Sequence, residues 1–353
     1  MTLAVRYTAA RTLDTAPVDT SPPGPGEVEL APAYVGICGT DLHIFHGDMD
    51  ARVSAPAVLG HEMSGRIVRV GPDVEGWRPG DAVTVMPLRW DGTCPACRAG
   101  HRHICGKLDF IGIDSPGAMQ QRWTVPAATL VRLPTSLRLD RAALVEPTAV
   151  AVHDVGRAGV RDGERVVVVG GGPVGVLIAL VARAAGAEVR VVEPSPYRRL
   201  LAEELGLSTW DPAADDMPAL LRRWTGDAGA DVAFEVSGAA GGVATAVEVL
   251  GVRGRLCLVA IHPRPREVDL HRFFWRELTL VGARLYDRAD FERAVALVAD
   301  GTVPADRLIS KVVPLAEAPA AFRALEGGGD VMKILVDCAD GAQGTTEVRG
   351  AAV

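Results

Sequence analysis

No apolar stretch in this 353-residue chain is long enough to cross a bilayer. The longest run, Val174 to Val181, falls far short of the ~20 residues a spanning helix needs. Met1 to Thr20 carries neither an apolar h-region nor a small-residue cleavage site, so no export signal is read and the cytoplasm is the expected location. A basic excess is missing as well: 37 Lys and Arg stand against 44 Asp and Glu, a formal net charge of −7, with the arginines scattered among acids. That excludes the positive stripe that holds nucleic acid. Small molecules become the expected partners, with neither nucleic acid nor membrane among them. Cysteine is scarce: six residues in so long a chain do not make a disulfide framework. Three of them, Cys94, Cys97 and Cys105, are bunched at metal-ligand spacing, while Cys257 and Cys338 lie in apolar strand-like runs and read as inert core. No internal repeat is found.

What is present is an ordinary globular composition, 48% apolar and 23% charged, in a chain long enough for about two domains. From about residue 25 to 135, short alternating runs such as Glu27 to Leu30, Gly65 to Val70 and Asp81 to Val85 are broken by Gly and Pro, which predicts a β-rich domain. Near residue 145 the pattern changes. A strand run at Arg165 to Val169, a helix at Val174 to Ala185 and a strand at Glu188 to Glu193 begin an alternation. It continues through Arg198 to Leu205, Asp231 to Val236, Val243 to Leu250, Arg255 to Ala260 and Leu278 to Val281. Such alternation predicts an α/β fold with a doubly wound parallel sheet. The expected boundaries are 1–147 for the first domain, 148–285 for the second and 286–338 for a return to the first. The tail, 339–353, is small, polar and aperiodic, and is expected to be mobile.

The run Gly170-Gly171-Gly172-Pro173-Val174-Gly175 fits G-x-G-x-x-G, directly after a Val-rich strand and at the start of a helix. The next strand ends in an acid, Glu193, 18 residues after Gly175. These are the features of a dinucleotide site. Gly170 permits the turn, Gly172 lets the backbone approach a pyrophosphate, Gly175 lets helix and strand pack, and the N-terminus at Pro173 and Val174 faces the phosphates. Glu193 would accept ribose hydroxyls and repel a 2′-phosphate, which favours NAD over NADP. Arg198 and Arg199 argue the other way, unless they are solvated helix residues or an arginine stacked on adenine. Ser237, followed by Gly238, and Ala260, Ile261 and His262 stand at strand C-terminal ends, where they are expected to meet the nicotinamide half.

Earlier in the chain, Gly36-Ile37-Cys38-Gly39-Thr40-Asp41-Leu42-His43 precedes Gly60-His61-Glu62-x-x-Gly65-x5-Gly71-x2-Val74. Thiolate, imidazole and carboxylate are offered together, as a catalytic zinc site requires. This run resembles the zinc signature of the medium-chain alcohol dehydrogenases. The segment Val145-Glu146-Pro147-Thr148-Ala149-Val150-Ala151-Val152-His153 is similar to the sorbitol, threonine and butanediol dehydrogenase branch. The resemblance extends to about residue 338. It implies a GroES-like catalytic domain, a Rossmann cofactor domain and an active site in the cleft between them. By this resemblance Cys38 and His61 are zinc ligands. Glu62 would ligate directly or swing away, and Glu146, replacing a second cysteine, would bind the metal directly or through its water. Thr40 and His43 would relay the proton, while Asp41 would hold the loop through backbone or arginine contacts and His153 would be structural. Arg284 and Tyr286 would line the substrate cleft or form a buried ion pair.

Cys94-x2-Cys97-x7-Cys105 is similar to the end of the family's four-cysteine structural zinc lobe, here about residues 89–108. The first cysteine is missing, and Asp91 stands in its place. An Asp carboxylate is an acceptable zinc ligand, and the alternative is a turn aspartate in a lobe that has lost its metal. The expected function is a zinc- and NAD-dependent oxidoreductase moving hydride between a secondary alcohol and its ketone. The expected substrate is a polyol, sugar or cyclitol; an amino alcohol such as threonine and a small diol are the alternatives. A nicotinamide-binding protein without turnover is the alternative outside enzymes, and it would not need Thr40 and His43. The resemblance implies a homodimer or homotetramer, often joined at cofactor-domain sheet edges, and the apolar run Leu278 to Val281 is compatible with that.

Overall fold

The computed structural model describes residues 2–327, 329–339 and 346–347. Most of the segment expected to be mobile therefore lies outside the described residues. The chain separates into two compact units, Met1–Glu146 together with the stretch from Asp287 onward, and Pro147–Tyr286.

The first unit is built on an eight-stranded sheet. Its order is Leu130–Arg132, Ala82–Val85, Glu62–Val70, Glu27–Gly36, Lys333–Asp337, Ile309–Pro314 and Thr346–Glu347, with Trp123–Pro126 also paired to Glu27–Gly36. The strands Ile309–Pro314 and Lys333–Asp337, read from sequence as a return to the first domain, enter the middle and far side of this sheet. They are parallel to each other and joined through the helix Ala318–Glu326. Register does the important work. Gly36 faces Glu62 in one antiparallel pair, and Leu335 faces Gly36 in the next. The chain leaving Gly36 toward Cys38, the chain arriving through His61, and the start of the Lys333 strand thus converge. A Cβ at Gly36 would collide with the Glu62 carboxylate, so a residue with no side chain is required there.

The second unit is a six-stranded, all-parallel sheet in the order Ser208–Trp210, Glu188–Val192, Arg165–Val169, Ala230–Glu235, Leu250–Leu258, Thr279–Gly282. In chain order this is 3-2-1-4-5-6, the doubly wound arrangement whose ligand edge lies at the strand C-termini. Val166, Val167 and Val168 are fully buried, and the helix Pro173–Ala184 buries every residue from Gly175 to Ala182. Each such apolar side chain contributes roughly 1.5–3 kcal/mol relative to exposure. The sequence reading missed the strand Ser208–Trp210 and the helices Met217–Thr225 and Leu270–Arg276. The strand is three residues long, too short to show a period. The helices begin at Asp216 and Asp269, whose side chains accept from the N–H of Ala219 and Arg272.

Candidate metal and cofactor sites

The helix Gly39–His46 starts directly after Cys38, and Asp41 in its first turn accepts the Cys38 N–H at 2.9 Å. Asp41 is fully buried, and its other oxygen lies 3.6 Å from Nδ1 of His61. The charged neighbour of this oxygen is thus a histidine rather than an arginine. Donor atoms of Cys38, His61 and Glu62 all come within 4.8 Å of one another. Burial disfavours the His61 imidazolium, but Asp41, Cys38 and Glu146 outweigh it and hold its pKa well above the ordinary value. The packing around Cys38 pushes its thiol up, with Glu62 adding to the effect. A buried acid, a thiol and an imidazole facing each other in this way are a donor set suited to a divalent cation.

Glu62 has a partner that the sequence did not reveal. Its carboxylate is held by Lys333, whose Nζ lies 2.9 and 2.6 Å from the two oxygens and 3.2 Å from the carbonyl of Ile37. Both side chains are almost completely buried. Burial disfavours the Lys333 cation, yet Glu62 and Cys38 more than offset it and raise its pKa. The Lys333 role was missed. Its signal was a lone lysine inside the apolar run Met332 to Val336, since a lysine is rarely buried unless paired. Glu146 opens the helix Val145–Ala158 and is also buried, but it stands outside the three-residue donor cluster. Thr40 and His43, one turn apart on the helix Gly39–His46, share a face. The His43 ring is partly exposed, with Nδ1 3.2 Å from Asp48.

A second cluster is local. Asp91, Cys94, Cys97 and Cys105 bring four donor atoms within 4.8 Å of one another. Cys94 caps the short helix Pro95–Arg98, its sulfur accepting the Cys97 N–H at 3.4 Å and the Gly106 N–H at 3.5 Å. Cys105 accepts from Lys107 N at 3.3 Å and Asp91 N at 3.5 Å. These amides stabilise negative sulfur, and those of Cys97 and Gly106 pull the Cys94 thiol down to about 7. Asp91 is a turn aspartate, accepting from the N–H of Cys94 at 3.0 Å and of Thr93 at 2.9 Å, which depress its pKa. It also lies 3.4 Å from the Cys105 sulfur. Cys257 and Cys338 are buried core thiols, and burial pushes Cys257 up to about 12.

In the second unit, Gly170 has φ +111°, and a Cβ on Gly175 would strike the Gly170 carbonyl. Gly172 has open space before it, and the helix beginning at Pro173 starts there. This cradle fits a pyrophosphate. Glu193 is buried and accepts from Gly171 N at 2.7 Å and Ser195 N at 2.8 Å, so the acid is tied to the glycine turn itself. Arg198 points its guanidinium toward Gly172, to 3.8 Å from where a Cβ would stand. Arg199 instead binds the Glu193 and Pro194 carbonyls and Asp211, a structural role. Ser237 packs on Gly170, and Ala260 and Ile261 lie beside Gly238.

Comparison with known proteins gives the same two parts. Residues 24–135 match the alcohol dehydrogenase GroES-like domain, and residues 173–300 match the zinc-binding dehydrogenase domain. The chain is 50% identical over 316 residues to the 2-dehydro-3-deoxy-L-galactonate 5-dehydrogenase of Pseudoalteromonas atlantica, covering 90% of this chain and 93% of that one. It is 34% identical over 296 residues to the L-galactonate-5-dehydrogenase of Escherichia coli, 83% of this chain and 86% of the relative. A proposed zinc-binding dehydrogenase of Sinorhizobium meliloti 1021, solved with NADP bound, superposes with a TM-score of 0.89 at 32% identity, over 96% of this chain and 99% of that one. With its GroES-like and Rossmann parts and two thiolate-bearing donor clusters, the chain belongs to the zinc-dependent medium-chain alcohol dehydrogenases.

Proposed function

We propose that this dehydrogenase oxidises a secondary hydroxyl of a sugar acid, using NAD. The observation that carries the substrate class is the 50% identity, over 90% of the chain, to an enzyme of a deoxy-galactonate; a second relative acts on L-galactonate. Cys38 and His61 would hold the catalytic zinc, and Asp91, Cys94, Cys97 and Cys105 the structural one. Zinc supplies a Lewis acid for the substrate oxygen, and the nicotinamide accepts the hydride. Asp41, whose oxygen lies 3.6 Å from Nδ1 of His61, would draw that nitrogen toward it and leave the other ring nitrogen for the metal. Lys333 balances the charge of Glu62 beside the donor cluster. Thr40 accepts the substrate proton and passes it to His43, whose exposed ring and neighbour Asp48 return it to water. NAD is favoured over NADP because the buried Glu193 carboxylate would meet a 2′-phosphate at the glycine turn.

The test is a panel of galactonate-type sugar acids, sorbitol, threonine and butanediol with NAD and NADP. A sugar acid should exceed every neutral polyol in kcat/KM by at least about tenfold, or 1.4 kcal/mol of transition-state binding. Threonine or butanediol at the top of the panel would overturn the assignment.

We also propose a homo-oligomer. Among the described residues the edge strand Thr279–Gly282 pairs on one side only, and Leu280, with Leu270, Phe274 and Trp275 of the preceding helix, is exposed. An apolar sheet edge of this kind is what a second copy would cover. The six free cysteines, three of them at metal spacing, favour a reducing cytoplasm.

A further inference from the structure

Glu235 ends the fourth strand of the Rossmann sheet, is completely buried, and has no part in the chemistry described above. One carboxylate oxygen accepts from Ser237 N at 3.0 Å, Ser237 Oγ at 2.6 Å and Gly238 N at 3.1 Å. The other lies 2.8 Å from Nε2 of His262, which follows the neighbouring strand Leu250–Leu258. Its backbone carbonyl accepts from Val259 N at 3.0 Å and Ala260 N at 3.1 Å. One residue thus ties together two strand-end loops. Ser237 in turn packs on Gly170, the first glycine of the phosphate turn.

The imidazole has a defined tautomer. Arg266 Nε donates to His262 Nδ1 at 3.3 Å, and a guanidinium can only donate, so Nδ1 accepts and Nε2–H points at Glu235. Arg266 also reaches the Gly238 carbonyl at 3.5 Å, closing the ring of contacts between the two loops. Both loops lie at the C-terminal ends of the fourth and fifth strands, on the side of the phosphate turn away from Glu193. With the adenosine half at Glu193, these loops are left to the nicotinamide half.

We propose that Glu235 and His262 are positioning residues for the nicotinamide half of the cofactor: their clasp sets the spacing between the Ser237–Gly238 loop and the Ala260–Ile261 loop. This rests on the dinucleotide reading of the same sheet. Glu235→Gln is an informative variant. The amide oxygen can keep the Ser237 and Gly238 bonds, but its NH2 must then face Nε2. That demands the opposite tautomer and sets Nδ1–H against the Arg266 donor.

The test measures Kd for NADH by nicotinamide fluorescence and for ADP-ribose, which lacks the nicotinamide, by calorimetry. Native protein, Glu235→Gln, His262→Asn and the double variant are compared as full-length chains. Each single variant should weaken NADH about tenfold, the loss of one charge-assisted hydrogen bond, with ADP-ribose unchanged within about twofold. The double variant should be no weaker than either single one, because both break one clasp. Equal losses for both ligands, unchanged NADH affinity or additive losses would overturn the proposal. If Glu235→Gln does not fold, the NADH to ADP-ribose ratio of His262→Asn decides alone. Native protein that fails to bind ADP-ribose would instead overturn the dinucleotide reading beneath it.

Discussion

The two donor clusters use the same element chemistry in opposite ways. Asp91, Cys94, Cys97 and Cys105 come from one short loop, whose own backbone amides point at the sulfurs. Cys38, His61 and Glu62 are assembled from separate segments, and the cation that neutralises them, Lys333, arrives from almost the other end of the chain. A local cluster can form with its loop. The assembled one exists only when the antiparallel register Gly36–Glu62 and Leu335–Gly36 is correct. The first is suited to stabilising a lobe, and the second to holding reactive groups in a defined field away from water.

The largest expected effect separates the clusters by function. Cys38→Ala should lower kcat/KM by about 10³-fold or more, since a Lewis acid contributes several kcal/mol and each 1.4 kcal/mol is tenfold. Cys97→Ala should instead lower the melting temperature and the zinc content by one per chain, with surviving folded protein keeping most of its turnover. Steady-state kinetics and metal analysis check both, and a comparable loss of turnover in the two would erase the distinction.

Lys333→Met breaks the assembled cluster from behind. It leaves the Glu62 charge buried without its partner, a change that costs about 3–5 kcal/mol of stability. Denaturant unfolding measures this, and Lys333→Met with Glu62→Gln should recover part of the loss. A single variant as stable as native would mean that water or the metal already balances Glu62.

What could be read in advance follows the same division. The lobe was legible down to Asp91, because ligand spacing within one loop is a property of the sequence itself. Cys38 and His61 were legible by motif, and so was the glycine turn that precedes the helix Pro173–Ala184. The state of Glu62 was not, because its partner Lys333 is set by strand order, and nothing in residues 36–62 specifies which strand will lie beside them. Asp41 holds its loop through the backbone N–H of Cys38, one of the two contacts read for it, while the approach of His61 to its other oxygen depends on the fold and was not legible. Short elements such as Ser208–Trp210 stayed hidden because three residues hold no period, and only pairing with Glu188–Val192 defines them as a strand.

Asp91 gives a smaller and sharper test of the local cluster. Asp91→Cys would restore a fourth thiolate, and a chelator should then remove lobe zinc more slowly than from native protein. Asp91→Ala should release it faster, losing at once a donor atom and the acceptor of the Thr93 and Cys94 amides. Release rates followed with a chromogenic chelator distinguish a ligand from a turn residue. A turn residue alone would make both variants faster.

The smallest effect concerns the helix Gly39–His46, which carries the assembled cluster toward solvent. Thr40 is half-buried beside Cys38, and if it carries the proposed proton path, which bulk water would reach poorly, Thr40→Val should lower turnover about 10²-fold. His43 is different, because its ring is 44% exposed and paired with an exposed Asp48. Water can replace an exposed relay, so His43→Gln should cost less than about tenfold, below the usual range for a positioned acid or base. The same exposure makes that loss recoverable: added imidazole buffer should restore turnover to His43→Gln and not to Thr40→Val. Equal rescue of both would place the two residues at the same depth. No rescue of either would move the proton path off this helix face.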